Sequence, residues 1–208
     1  MHYSSLAKQA AAPVVLKEKG SQFLAYGFRC ESIAGFEEQL QILKKEHYTA
    51  SHHCYAWRID PEGPEEFAQD DGEPSGTAGL PILNQMKSAH LCNSAVVVVR
   101  YFGGTKLGKR GLISAYGDAA AGCIKAGPVQ QLQAGRAVQL RFGYPQKRVI
   151  DDLIALYDGV LVESSFTERV AYTLHIPVNQ LKKAMQAFEK TAYLDVRTEQ
   201  AEAVLMYS

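Results

Sequence analysis

The stretch Ser94–Gly111, SAVVVVRYFGGTKLGKRG, decides how this chain reads. It opens on Ala95 to Val99, an apolar and mostly β-branched run that marks a strand buried on both faces. Arg100, Tyr101 and Phe102 then lead into Gly103-Gly104, and Lys106, Lys109 and Arg110 are threaded among Gly108 and Gly111. A helical run rich in alanine follows from Leu112 to Ala126. Strand, glycine-rich basic loop and helix N-terminus is a geometry that turns backbone N–H groups toward an anion. The loop is neither a Walker sequence nor a clean G-x-G-x-x-G. Arg100, Tyr101, Gly103, Gly104, Lys106, Gly108, Lys109 and Arg110 are the candidates for holding a phosphate or similar ligand. The competing reading is that the glycines serve tight turns and the cations neutralise an acidic loop upstream.

That acidic loop is Asp60 to Glu73, with seven carboxylates, no Lys or Arg, and Pro61, Gly63, Pro64 and Gly72 as breakers. Its end, Asp70-Asp71-Gly72-Glu73, brackets a glycine with carboxylates, and Pro74 to Gly79 carries it into a helix expected over Thr77–Ala89. Dense oxygen ligands suit Mg²⁺ or Ca²⁺, although the alternating spacing of a calcium loop is missing. The plainer reading is a solvated loop in which Ser75 or Thr77 caps the helix. Before it, His53–Ile59 reads as a strand entered through His52-His53-Cys54. Alternation puts His52 and Cys54 on one face and His53 on the other. A Cys/His pair could ligate metal or act as nucleophile and base, or could simply pack at a strand entrance. His52, His53, Asp70, Asp71 and Glu73 are thus the catalytic candidates, and His53, Asp70 and Asp71 the metal candidates. No cofactor is firmly implied; Mg²⁺ is the candidate that these carboxylates suit.

Further upstream, Pro13–Lys19 and Ser21–Cys30 flank Gly20 as a hairpin. Ile33, Phe36, Leu40 and Leu43 fall at helical spacing, so Ser32–His47 is an amphipathic helix with Ser32 as N-cap. Downstream the pattern restarts at Gly127-Pro128, and Gln130–Gly135 reads as a linker. Beyond it lie a strand at Ala137–Tyr144, a helix at Val149–Leu156 and strands at Val160–Phe166 and Val170–Ile176. A helix at Val178–Lys190 and a last strand from Leu194 toward Tyr207 complete a β-α-β-β-α-β order, the ferredoxin-like pattern. The expectation is an α+β chain of two domains, residues 1–130 carrying the motifs and 131–208 forming the ferredoxin-like module.

At 208 residues and 47% hydrophobic content, either division can bury a core. Formal net charge is zero, and Lys plus Arg equals Asp plus Glu on each side of Gln131. A generic nucleic-acid-coating protein shows a basic excess, so any nucleic-acid site here is local. Cys30, Cys54, Cys92 and Cys123 are widely spaced, which suggests free thiols rather than a zinc ribbon or a disulfide framework. The N-terminus lacks a signal-peptide pattern and no segment is long enough to span a membrane, so a cytoplasmic protein is expected.

HHCYAW, DDGEPSGTAGLPIL and VVVVRYFGGTKLG…GLISAY, in that order and spacing, resemble the IMPACT/YigZ family. The resemblance covers about sixty residues closely and extends more loosely through the second domain. It implies a first domain of left-handed βαβ type, similar to a small-subunit ribosomal protein and the fourth domain of elongation factor G. It implies a second domain similar to that factor's fifth. Eukaryotic relatives regulate translation initiation under stress. Two positions depart from the family pattern: Arg110 stands where glycine is usual, and Gln69 where serine is common. The leading expectation is a non-catalytic, translation-associated regulator binding RNA, the ribosome or a translation factor. Thr77 joins the glycine loop in its ligand site. The alternative is a metal-dependent hydrolase of a phosphate ester or nucleotide, with the carboxylates on Mg²⁺ and a histidine as acid or base.

Overall fold

The computed structural model describes residues 2–6, 13–60, 63–191, 195–197 and 204–207. The chain divides into two compact units, one from Tyr3 to Gln131 and one from Leu132 onward together with His2. Each is a sheet covered by helices, so the chain is α+β.

In the first unit, β1 (His2–Leu6) is a short strand whose Leu6 enters the core. β2 (Val14–Glu18) and β3 (Ser21–Arg29) form the expected hairpin across Lys19-Gly20, both at positive φ. α1 (Ile33–Glu46) starts at Ser32, whose hydroxyl accepts the Gly35 N–H at 3.2 Å. β4 (His52–Ile59) and β5 (Glu65–Gln69) make a second hairpin, followed by α2 (Gly79–Ser88). β6 (Ser94–Tyr101) then inserts between the hairpins, giving the antiparallel order β2-β3-β6-β4-β5, and α3 (Gly108–Ala126) follows.

The central place of β6 accounts for its sequence. Val96 and Val98 face α2 and α3, with Ile82, Met86, Tyr116 and Ala120. Ala95, Val97 and Val99 face α1, with Phe36, Leu40 and Leu43. Two helices cover one face of the sheet and one covers the other.

Three expectations change here. Asp60–Glu73 is not all loop, because β5 runs through it. An edge strand with a single neighbour needs no apolar alternation, and its acidic residues face solvent. α3 begins at Gly108 rather than Leu112, so Lys109 and Arg110 stand in its first turn. Gln130–Gly135 is not a linker but part of β7 (Val129–Phe142), a 14-residue strand.

The second unit takes up β7 from Leu132. A 3-10 turn at Tyr144–Gln146 leads into α4 (Lys147–Leu156), followed by β8 (Val160–Phe166), β9 (Val170–Pro177) and α5 (Val178–Glu189). β10 (Asp195–Arg197) and β11 (Val204–Tyr207) both pair with β7. Of the expected last strand, residues 194 and 198–203 lie outside the described residues. β9 sits between β7 and β8, all antiparallel, in the expected β-α-β-β-α-β order. Val138, Leu140, Phe142, Tyr172 and Leu174 meet Ile150, Ile154, Ala184 and Phe188 in an apolar core.

Candidate functional site

Arg100 leaves the C-terminal end of β6 on the face covered by α2 and α3, where only 4% of it is exposed. A guanidinium so placed needs a charged partner, because desolvation alone would cost several kcal/mol. Its Nη1 donates to Glu73 Oε1, on the loop between β5 and α2, where Glu73 is equally enclosed. Tyr116 of α3 donates its hydroxyl to the same carboxylate oxygen at 2.8 Å. The Cys54 thiol lies 3.3 Å from the Tyr116 oxygen and 3.0 Å from the Asp70 carbonyl. Arg100 Nη2 donates to the Ser21 hydroxyl at 3.3 Å, and the guanidinium lies over the Phe23 and Phe102 rings. β3, β4, β6, α3 and the acidic loop are thereby joined through one ion pair.

His52 borders this network. Its Nδ1 donates to the Asp71 carbonyl at 2.8 Å, and its Nε2 lies 3.7 Å from Glu73 Oε1. Burial pushes the Cys54 thiol and the Tyr116 phenol well above their ordinary pKa values. Cys54 is therefore a packed thiol, not an activated nucleophile.

Asp70 works as a long-range helix cap. One carboxylate oxygen accepts the Ala78 and Gly79 N–H groups, both at 2.9 Å, and the other accepts the Gly76 N–H at 2.8 Å. Partial burial opposes the charge, but the three amides outweigh it and hold the carboxyl below its usual pKa. The expected caps do not serve: the Thr77 hydroxyl is buried and donates to the Pro74 carbonyl at 2.6 Å. Gly79 is required where it stands, since a Cβ there would run into the Gln69 backbone. Asp71, at φ 44°, turns its carboxylate back to accept the His53 N–H at 2.6 Å.

Adjacent residues part company, as alternation demands. His53 lies on the α1 face, with Nδ1 3.9 Å from Asp71 and a buried Nε2 that has no hydrogen-bond partner among the described residues. Burial lowers its pKa, and the Asp71 carboxylate only partly opposes this. Tyr101 points to that face too. Its hydroxyl meets His47 Nδ1 at 2.9 Å, while Tyr26 meets Nε2 at 2.6 Å. The two expected histidines thus never share a site, and Tyr101 serves the α1 interface.

The basic segment also differs from expectation. Only Arg100 faces the acidic loop. Lys106, Lys109 and Arg110 are exposed and make no ion pair among the described residues. The Gly103 N–H donates to the Ser21 hydroxyl at 3.1 Å, and a Cβ on Gly103 would drive into the Gly20 carbonyl. The loop after β6 thus lies backbone to backbone on the β2–β3 turn. Gly104 and Gly108 take φ of 84° and 70° and leave the chain exposed up to α3, whose N-terminus has no side-chain cap. Sequence reasoning missed Tyr116 and Ser21, although the single aromatic among the alanines and glycines of α3 was a signal.

Mg²⁺ does not fit this donor set. Both Asp70 oxygens and one Asp71 oxygen accept backbone N–H groups, Glu73 is taken by Arg100 and Tyr116, and His53, although its Nδ1 is 3.9 Å from Asp71, lies on the sheet face opposite Arg100 and Glu73. Among the described residues no three His, Cys, Asp or Glu side chains are placed to hold a metal ion.

These features define a class: a two-unit α+β protein whose first sheet is latched by a buried charge network and displays a basic glycine turn. A family model for the Impact N-terminal domain matches residues 19–124, which contain that network and turn. The chain belongs to the IMPACT family. It is similar to the family member YvyE of Bacillus subtilis, with 32% identity over 85% of this chain and 81% of that one. YigZ of Escherichia coli is 32% identical over 80% of this chain and 84% of its own. A crystal structure of a hypothetical protein superposes with TM-score 0.66 at 27% identity, covering 96% of this chain and 99% of the other. Among the described residues no helix is long and apolar enough to cross a membrane.

Proposed function

We propose that this protein is a non-catalytic, translation-associated regulator that engages ribosomal RNA phosphates through the basic turn between β6 and α3. One observation carries the reading. The N-terminus of the 19-residue α3 is uncapped and exposed, and it is flanked by Lys106, Lys109 and Arg110, none of them ion-paired among the described residues. Free first-turn N–H groups, the positive end of the helix dipole and exposed cations together favour a phosphate. The translation context comes from the family, whose eukaryotic members regulate initiation. The likeness of both units to elongation-factor domains belongs to the same proposal. The hydrolase alternative loses support because its carboxylates already serve backbone amides and Arg100.

The test is co-sedimentation with ribosomes across a salt series. Association at low salt is expected to fall steeply as salt rises. Replacing Lys106, Lys109 and Arg110 together with alanine is expected to lower the salt slope by about three, one for each lost phosphate contact. No association at low salt, or an unchanged slope in the triple variant, overturns the reading.

A further inference from the structure

The covering of the five-stranded sheet is asymmetric. On one face α2 packs over β4 and β5, and α3 over β2 and β3. On the other face α1 stands alone among the described residues of this unit, which place no helix over β4 and β5 opposite α2. What lies there is a groove of about 790 Å³ lined by Ile33, Phe36, Leu40, Tyr55, Trp57 and Phe67, with Glu37, Glu38 and Gln41 on its α1 side.

Its floor is a run of touching rings. Phe36 and Tyr55 have centroids 4.8 Å apart, Tyr55 and Phe67 6.1 Å, and Trp57 and Phe67 5.9 Å at 22°. Phe67 is 44% exposed and Ile33 45%. An aromatic on an edge strand and a β-branched residue at the head of a helix, facing one groove, form a contiguous apolar patch rather than scattered exposure.

The rim has one sign of charge. Glu37 and Glu38 line the groove, and Glu65 lies on the same sheet face beside Ile59. None of the three is ion-paired among the described residues. Lys44 and Lys45 stand in the last turn of α1 and do not line the groove. Nucleic acid is disfavoured there by charge, and a neutral apolar segment would leave the carboxylates without partners.

We infer that this groove docks an amphipathic helix of another protein, one with an apolar stripe and Lys or Arg along its flanks, which fills the empty helix position beside α1. The stripe lies on Phe67, Tyr55 and Ile33, and the basic flank meets Glu37 and Glu38. This is the helix-in-groove mode of recognition. It lies on the face of the sheet opposite Arg100 and does not depend on the basic turn.

Trp57 is the chain's single tryptophan and stacks on Phe67, so its emission reports on the groove directly. The probes are synthetic helix-forming peptides of about 14 residues without tryptophan, long enough for a helix of several turns. One has a leucine stripe with lysine flanks, one the same stripe with glutamate flanks, and one lysine flanks with serine in the stripe. The leucine–lysine peptide is expected to give a saturable change in Trp57 emission, and the other two none. Glu37→Lys with Glu38→Lys is expected to reverse the preference toward the glutamate-flanked peptide. Ile33→Ser, at an exposed position, is expected to weaken binding by roughly tenfold without loss of fold. The inference is overturned if the serine-stripe peptide binds equally, if no peptide binds, or if charge reversal leaves the preference unchanged. It is also overturned if the chain self-associates with Trp57 covered, or if a short RNA produces the same emission change.

Discussion

The two units solve the same packing problem differently. In the second, a sheet and two helices close on Val138, Leu140, Phe142, Ile150, Tyr172 and Phe188, and charges stay at the margin, as with Lys147 and Asp151 at 2.6 Å. In the first, an Arg–Glu pair is sealed between the sheet and two helices of similar kind. Among the described residues, the second unit closes such a layer without buried charge. A sealed ion pair is weak evidence of stabilisation, because its desolvation cost rivals its attraction. What the pair does is join segments that packing would leave independent: the acidic loop, the end of β6 and, through Ser21, the hairpin turn under Gly103. The basic turn is held in place by this latch.

The largest expected effect breaks the latch. Arg100→Ala leaves the Glu73 carboxylate buried and unpaired, and should cost about 3–5 kcal/mol in denaturant unfolding. Phe142→Ala in the second unit should cost a similar amount, about 3–5 kcal/mol, through a cavity. The difference is in rescue. Replacing Arg100 with Met, Glu73 with Leu and Tyr116 with Phe together should return stability to within about 1 kcal/mol of the parent. Ribosome association should still fall in that variant, because the turn has lost its anchor. If stability stays low, the ion pair is needed for folding and the contrast between the units fails.

A middle-sized effect concerns the cap. Asp70→Ala should cost about 1–2 kcal/mol, as losing a side-chain N-cap does. The loss should appear as faster amide exchange at Gly76, Ala78 and Gly79, not in the second unit. Since the folded-state pKa of Asp70 lies below the ordinary carboxylate value, its contribution is present above that value and lost as pH falls through the folded pKa. The alanine variant should show a shallower acid limb.

The smallest effect is a titration that both units share. His53 and His175 both have pKa values lowered by burial, so the unfolded chain takes up their protons first as pH falls. Stability therefore declines as pH drops through the ordinary value near 6.5. His53→Gln should flatten this decline more than His175→Gln, because His53 Nε2 is sealed without a partner among the described residues. Equal flattening in melts between about pH 7 and pH 5 would make the two sites equivalent.

The legible parts were those with a local cause. The valines of β6 announce a strand buried on both faces, Ser32 announces a cap, and alternation separates His52 from His53. What stayed hidden depends on distant partners. β5 is acidic because its outer edge meets solvent, so it carries no apolar rhythm to read. Asp70 caps a helix that starts nine residues later, past a nearer Thr77 that looks the better cap. The charges of the acidic and basic loops implied that the cations neutralise the carboxylates, but only Arg100 has the register to reach Glu73. Lys106, Lys109 and Arg110 follow the turn outward, and nothing in their composition distinguishes a paired cation from a free one.

The strand order also has a consequence in time. β6 is the central strand, yet it is made after both hairpins it separates, and β3 pairs with it across some seventy residues. β3 and β4 never pair with each other, so a chain grown only as far as α2 holds two local hairpins and no sheet. Pairing that waits on a distant strand is slow, because the loop must close before any contact rewards it. The first unit is therefore expected to fold late and all at once, when Ser94–Tyr101 arrives. Until then the faces that will meet its valines stand open to water.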